Sequence, residues 1–253
     1  MRQFPGDVSS AAPIALSVVV PAYNEVGRID ATLDAIGSHL DLRSLSYEIF
    51  VAADGDDGTR ERVAERARSD PRLQVLGSRE RRGKGHGIRA AVLLSRGAVV
   101  GFVDADDKTP FSEIDKLLPW LEQGFDVVVG SRAVPGAQLL ASRPLHRRLG
   151  SLGFALLLRA LLDVGGVRDT QCGFKFFRGE VARELFARQH IDGYMFDAEI
   201  LHLAARSGRR IKEVGVRWRD DSDSRLDLVS GNWRNLRDIL RIRFGAAGPT
   251  RHA

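Results

Sequence analysis

The first half of the chain alternates apolar runs with segments of helical spacing, and this alternation restricts the fold more than any other feature. Strands are predicted at five apolar runs, 15–20, 47–53, 73–76, 98–103 and 126–130. Helices are predicted between them, over 25–40, 58–69, 84–95 and 110–123. Continuous apolar strands that alternate with helices are typical of a parallel sheet covered on both faces. The sequence therefore predicts an α/β fold whose ligand site lies at the carboxyl ends of the strands.

The second half has a different pattern, with longer apolar and basic segments. Helices are predicted over 145–162, 196–206 and 233–244, and strands over 170–177 and 211–219. The first and last of these helices mix large apolar residues with arginines. No repeat, low-complexity tract or clear linker divides the chain, so we expect one domain over residues 1–253.

Composition narrows the class of partner. The 253 residues carry a formal net charge of +5, which suits nucleic acid, an anionic membrane surface or a phosphorylated substrate. Cys172 is the single cysteine, so no internal disulfide can form, in keeping with a reducing compartment. We expect neither a signal peptide nor a membrane-spanning helix, because no run approaches about 20 apolar residues.

Polar segments directly follow three of the predicted strands, at 21–25, 54–58 and 104–106. In the last of them, Asp104 and Asp106 flank the small residue Ala105. Two carboxylates turned to one point suit Mg²⁺ or Mn²⁺, and such a metal would neutralise charge on a diphosphate. The alternative is a solvated acidic turn that caps the next helix. Lys108 is placed to neutralise part of this acidic cluster.

Motifs in both halves resemble a known family. Segments 19–25 (VVPAYNE), 54–59, 83–85 (GKG) and 104–106 (DAD) resemble family 2 glycosyltransferases of the GT-A fold. Segments 130–133, 169–177, 196–199 and 213–218 resemble the dolichyl-phosphate glucosyltransferase and dolichol-phosphate mannosyltransferase subfamily, as does the Ser-Arg-Leu element at 224–226. The similarity runs from about Ser17 to Leu226. It implies a nucleotide-sugar-binding half over about 15–130, an acceptor half over about 131–230, and a C-terminal helix and tail over about 231–253.

The resemblance implies a nucleotide sugar as donor and Mg²⁺ or Mn²⁺ held by Asp104 and Asp106. It places the following residues around the donor: Pro21, Ala22, Tyr23, Glu25, Asp54, Lys84, Asp104, Ala105, Asp106 and Arg225. The chain departs from the family at Ala53, which replaces the first acid of an Asp-Asp-Gly turn. Asp56 and Asp57 either substitute for that acid or are turn residues.

The same resemblance assigns residues to catalysis and to the acceptor. The implied catalytic set is Asp106, Arg132, Lys175 and Asp197, with Asp197 as the acid nearest the donor sugar. The implied ligands of the acceptor phosphate are Arg132, Arg147, Arg148 and Lys175. For Arg147 and Arg148, a basic helix face is the alternative. Asp197 and Glu199 lie two residues apart on a predicted helix, so we expect only one of them to line the cleft.

The implied reaction is inverting transfer of a hexose to dolichyl or polyprenyl phosphate, with UDP-glucose favoured as donor and GDP-mannose next. A lipid phosphate is largely ionised near neutral pH, so it needs positioning cations rather than a general base. One alternative is a family 2 enzyme that acts on a soluble hydroxyl acceptor. Another is a non-catalytic nucleotide-sugar-binding module, which the departure at Ala53 would favour.

The helices predicted over 145–162 and 233–244 suit a membrane surface, because interfacial helices combine apolar residues with basic ones. The alternative is that both pack on the domain with their arginines in water. We expect a cytoplasmic protein that is peripheral on the cytoplasmic face of a membrane, and a membrane-anchoring partner subunit is possible. No motif supports a nucleic-acid partner. A dinucleotide-dependent dehydrogenase is excluded, because segment 21–25 is not a glycine fingerprint.

Overall fold

The computed structural model describes residues 13–140, 153–154, 156–219 and 231–245. The strands are β1 Leu16–Tyr23, β2 Tyr47–Asp54, β3 Leu73–Leu76, β4 Val99–Val103, β5 Val127–Ser131, β6 Gln138–Leu139, β7 Phe174–Arg178, β8 Ile211–Gly215 and β9 Arg217–Trp218. The helices are α1 Ile29–Leu42, α2 Thr59–Ala67, α3 Lys84–Leu94, α4 Ile114–Glu122, α5 (helical residues 153–154 and 156–161), α6 Gly179–Ala187, α7 Phe196–Arg206 and α8 Gly231–Phe244.

Seven strands form one sheet in the order β3-β2-β1-β4-β7-β5-β8. The pairs β1–β2, β1–β4, β2–β3 and β5–β8 are parallel, whereas β7 runs antiparallel to both β4 and β5. Strands β6 and β9 form a separate parallel pair. The predicted α/β fold is confirmed, with one antiparallel strand that the apolar pattern did not reveal.

The sheet has a hydrophobic cluster on each face, which explains why its strands are apolar throughout. Val18 and Val20 of β1 belong to the cluster that contains apolar residues of α1 and α4. Val19, between them, belongs to the opposite cluster, which contains residues of α3, α6 and α7. Successive side chains of a strand point to opposite faces of the sheet. Because both faces are buried here, the strands do not alternate apolar and polar residues as strands with one exposed face do.

Several predicted boundaries shift in the structure. The strand predicted over 170–177 begins at Phe174, and residues 170–173 form an irregular turn before it. The strand predicted over 211–219 is divided at Val216 into β8 and β9. Helix α6 was not predicted. Residues 145–152 of the predicted apolar helix lie outside the described residues.

Two helices of the second half combine buried and exposed apolar residues. In α5, Leu158 is buried, whereas Leu156 and Leu157 are exposed. In α8, Ile239 is buried and Phe244 is exposed. Within the part of the chain that the structure describes, no helix combines the length and the apolar character that crossing a bilayer requires.

Candidate active site

A cleft of about 220 Å³ lies at the carboxyl ends of β1, β2 and β4, beside the start of α3. Its lining includes every donor residue predicted among the described ones: Pro21, Ala22, Tyr23, Glu25, Asp54, Lys84, Asp104, Ala105 and Asp106. The parallel register explains this convergence, since Tyr23 pairs with Asp54 and β4 lies on the other side of β1. The cleft also contains residues that the sequence did not single out for the donor: Arg28, Arg81, Lys108 and Tyr194.

The acidic loop after β4 is held in place by its backbone and by two lysines. Ala105 is buried, and its carbonyl accepts a hydrogen bond from Thr32 Oγ1 at 2.8 Å. The carboxylate of Asp104 lies 2.6 Å from Lys84 Nζ, and that of Asp106 lies 3.2 Å from Lys108 Nζ. The side chains of Asp104 and Asp106 are 40% and 25% exposed. Both carboxylates therefore remain open to the cleft.

The donor atoms of this loop fit a hard divalent cation. Carboxylate oxygens are preferred ligands of Mg²⁺ and Mn²⁺, and Mg²⁺ commonly binds through one or two carboxylates plus phosphates and water. In the described ranges, no three His, Cys, Asp or Glu side chains are grouped as ligands of one ion. A cation held by Asp104 and Asp106 would therefore complete its coordination with diphosphate oxygens and water.

Lys84 lies between two acids at the start of α3. Burial lowers its pKa, but the carboxylates of Asp104 and Asp197 outweigh burial and raise the pKa above the ordinary value for lysine. Its ammonium also lies 5.9 Å from the ring centroid of Phe196. This environment keeps Lys84 protonated beside the predicted metal site.

The glycines on either side of Lys84 pack closely against the backbone of another segment of the chain. A Cβ at Gly85 would lie 2.6 Å from the carbonyl oxygen of Ile191, and one at Gly83 would overlap the carbonyl of Asp192. His86 N also donates to Asp192 O at 3.2 Å. The resemblance places Lys84 of the GKG segment beside the donor. In the structure, its glycines allow the loop before α7 to approach α3.

Asp54 organises the loop that leads to α3. Its carboxylate accepts hydrogen bonds from the backbone N–H groups of Ser78, Arg82 and Gly83, at 3.3, 2.8 and 3.4 Å. Asp57 is a turn residue, one of the two roles considered for it, because its carboxylate accepts from Val26 N and Thr59 N. Asp54 and Asp57 thus both stabilise the region after β2 by accepting hydrogen bonds from backbone N–H groups.

Arg132 forms a bidentate pair with Asp169, a partner that the sequence did not single out. Its Nε and Nη2 donate to the two carboxylate oxygens at 2.7 and 2.8 Å, and its backbone N donates at 2.9 Å. Burial raises the pKa of Asp169, but Arg132 outweighs it and holds that pKa below the ordinary value. Arg132 does not line the cleft. Its predicted contact with a phosphate remains a prediction.

Lys175 and Asp197 form an ion pair in the interior. Their side chains are only 1% and 3% exposed, and Lys175 Nζ donates both to Asp197 Oδ1 and to Cys172 O. Burial raises the pKa of Asp197, against the opposing influence of Lys175 and Lys84. Lys175 does not belong to the lining of the cleft. Its predicted contact with an acceptor phosphate stays a prediction.

Asp197 and Glu199 point in different directions, as their spacing predicted. Glu199 accepts hydrogen bonds from His190 N at 2.9 Å and Ile191 N at 2.8 Å, so it supports the loop before α7. Neither acid belongs to the cleft lining. The three remaining predicted residues, Arg147, Arg148 and Arg225, lie outside the described residues.

Comparisons with known proteins identify the family. The model of "Glycosyl transferase family 2" matches residues 17–186. A Dictyostelium discoideum protein named dolichyl-phosphate beta-glucosyltransferase is 37% identical over 259 residues, covering 96% of this chain and 79% of that protein.

Solved structures share the fold. Mannosyl-3-phosphoglycerate synthase from Rubrobacter xylanophilus aligns with a TM-score of 0.68 at 20% identity, over 94% of this chain and 77% of its own. Glucosyl-3-phosphoglycerate synthase from Mycobacterium tuberculosis, solved with Mn²⁺ and UDP-glucose, aligns with a TM-score of 0.64 at 20% identity, over 97% and 86%. These likenesses confirm the GT-A architecture expected from the sequence. The chain belongs to glycosyl transferase family 2.

Proposed function

We propose that this chain transfers glucose from UDP-glucose to dolichyl or polyprenyl phosphate, with inversion at the anomeric carbon. The observation that carries the proposal is the convergence of Tyr23, Lys84, Asp104 and Asp106 in one cleft. The acceptor class is supported by the name of the Dictyostelium relative, which matches 96% of this chain. GDP-mannose is the second donor to test.

The cleft has the groups that bind and orient a nucleoside diphosphate. Asp104 and Asp106 would hold Mg²⁺ or Mn²⁺, and the bound ion would neutralise charge on the departing diphosphate. Lys84 stays protonated between Asp104 and Asp197, so it adds a fixed positive charge beside the phosphates. The acceptor phosphate is already anionic, so positioning and charge stabilisation supply most of the catalysis.

A donor panel tests the proposal. Radiolabelled UDP-glucose, GDP-mannose and UDP-N-acetylglucosamine are each incubated with polyprenyl phosphate and Mn²⁺, and label is counted in the organic phase. We expect label from UDP-glucose alone, and its loss with EDTA or with Asp106→Asn. Label that reaches only soluble acceptors would favour the hydroxyl-acceptor alternative. Donor binding without turnover of any donor would favour a non-catalytic module.

We also propose that the protein works as a peripheral protein on the cytoplasmic face of a membrane. The exposed apolar residues of α5 and α8, among them Leu156, Leu157, Leu240 and Phe244, support this placement. Co-sedimentation with vesicles of anionic and neutral lipid measures it, with Leu240→Ser/Phe244→Ser as the variant. If the chain sediments with neither type of vesicle, a membrane-anchoring partner subunit is the better account of its placement.

A further inference from the structure

Arg219, which directly follows β9, binds the loop that carries Asp106. Its backbone N donates to Lys108 O at 2.8 Å. Its Nη2 donates to Asp107 O at 2.9 Å and also to the carboxylate of Asp107. Neither Arg219 nor Asp107 belongs to the lining of the cleft. Arg219 therefore contacts the predicted metal loop from outside the cleft.

The backbone of Asp107 has a conformation that is unfavourable for a residue with a side chain. Its φ is 50°, in the left-handed region, which aspartate tolerates better than most residues and glycine adopts without cost. The next residue, Lys108, contacts the carboxylate of Asp106 through its backbone N at 3.3 Å and through its Nζ at 3.2 Å. A change of the backbone at Asp107 would therefore move the groups that orient Asp106.

Strand β9 is anchored to the rest of the fold. Arg217 N and Nε donate to the carboxylate of Glu113 at 3.0 and 2.5 Å, and Glu113 is only 1% exposed. The strand also pairs with β6. The start of the metal loop is held separately, because Ala105 O accepts a hydrogen bond from Thr32 of α1. Asp106 thus lies between one anchor on α1 and a second at the end of β9.

We propose that Arg219 is a positioning residue for the predicted metal site, an inference that rests on the proposed function. By holding Asp107 in the left-handed region, it fixes the turn that directs Asp106 toward the cation. The side chains of Arg219 and Asp107 are 47% and 39% exposed, so the attraction between their charges contributes little, and the bonds to backbone carbonyls carry the effect.

The sign of the change in Mn²⁺ affinity separates position from charge. Removal of a positive charge near Asp104 and Asp106 favours a cation there, so an effect of charge alone makes Mn²⁺ bind more tightly in Arg219→Ala. Loss of the support for Asp107 misdirects the Asp106 carboxylate, so an effect of position makes Mn²⁺ bind more weakly.

Mn²⁺ binding without nucleotide or turnover tests the proposal. Electron paramagnetic resonance of free Mn²⁺ gives the Kd for the wild type, Arg219→Ala and Arg219→Ala/Asp107→Gly, and circular dichroism gives each Tm. One net hydrogen bond corresponds to about twofold to tenfold in an equilibrium constant, so we expect Arg219→Ala to bind Mn²⁺ more weakly by a factor in that range. The double variant should return to within about twofold of the wild type, because glycine adopts this φ without support and the net charge of the loop region is unchanged.

Arg217→Ala is the matched control, because it removes an arginine of the same strand that binds Glu113 rather than the metal loop. We expect its Tm to fall while its Kd for Mn²⁺ stays within about twofold of the wild type. The proposal is wrong if Arg219→Ala binds Mn²⁺ as tightly as the wild type or more tightly. It is also wrong if Arg217→Ala weakens Mn²⁺ binding equally, or if the double variant binds no better than Arg219→Ala.

Failure of the proposed function has a different result. The wild type would then transfer no glucose in the donor panel, while Arg219→Ala would still weaken Mn²⁺ binding and the double variant would still restore it. A wild-type chain that does not bind Mn²⁺ overturns the inference, whatever the donor panel shows.

Discussion

Breaking the Lys175–Asp197 pair should destabilise the protein more than breaking any ion pair at its surface. The side chains are 1% and 3% exposed, so removal of either leaves a charge that water cannot reach. An uncompensated buried charge of this kind costs about 3–5 kcal/mol. Against a total stability of about 5–15 kcal/mol, Lys175→Met should remove a large part of the free energy of unfolding.

Urea denaturation followed by circular dichroism measures this loss, with variants compared at a common m-value. We expect Lys175→Met to lose about 3–5 kcal/mol, and its Tm to fall by about 6–20 °C. Lys175→Met/Asp197→Leu replaces the pair with apolar side chains and should recover most of the loss, because no charge remains buried.

A surface pair provides the control. Arg62 and Glu65 are 52% and 70% exposed, and their charged atoms lie 3.9 Å apart, so Glu65→Gln should cost less than about 1 kcal/mol. The reasoning is refuted if Lys175→Met costs no more than Glu65→Gln. It is also refuted if the double variant is as unstable as Lys175→Met, because the loss would then come from packing rather than from the unpaired charge.

Three further predictions address the cleft and the alkaline limit of stability. Gly173→Ala places a Cβ against the carboxylate of Asp104. We therefore expect the affinity for Mn²⁺ in the presence of UDP to fall by about tenfold. Gly27→Ala is the control, because no atom lies near its Cβ, and it should leave the Mn²⁺ affinity unchanged. Lys108→Met removes the ammonium 3.2 Å from Asp106, so calorimetry without nucleotide should show Mn²⁺ binding about tenfold tighter; weaker binding would show that Lys108 supports the loop instead. Burial and a hydrogen bond to Asp41 raise the pKa of Tyr47 to about 12, so its contribution to stability is complete below about pH 10 and is lost as the pH rises toward 12. Denaturation midpoints measured between pH 9 and 12 should fall less steeply in Tyr47→Phe than in the wild type.

The donor half of the site was predictable because its signals are local. Asp54 and Asp104 each follow an apolar strand, and parallel neighbours place such ends at one edge of the sheet. Tyr194 gave no such signal, since it lies in a loop far along the chain and reaches the cleft only through the packing of that loop on Gly83 and Gly85. Local sequence patterns therefore predict the cleft residues at the ends of strands, but not a residue that a distant loop brings to the cleft.

The burial of Lys175 could not be read from its motif. Strand β7 lies antiparallel between β4 and β5, and this pairing determines on which face of the sheet the Lys175 side chain lies. The paired segments are distant in sequence, so no local pattern reveals the pairing. Lys175 lies two residues from Phe177, so both side chains point to the same face, and its ammonium lies 5.3 Å from the ring centroid of Phe102. A motif gives the residue type, whereas burial depends on the sheet order.

The contacts of Lys175 connect the predicted metal loop to the core. On one side it binds Cys172 O, and the next residue, Gly173, accepts from Asp104 N at 3.1 Å and packs against the Asp104 carboxylate. On the other side it binds Asp197, whose charge helps to keep Lys84 protonated. A row of charges of alternating sign thus runs from the predicted metal loop into the core, formed by Asp104, Lys84, Asp197 and Lys175. Because Lys175 is the buried end of this row, loss of its ammonium should reduce the stability of the fold and change the geometry of Asp104.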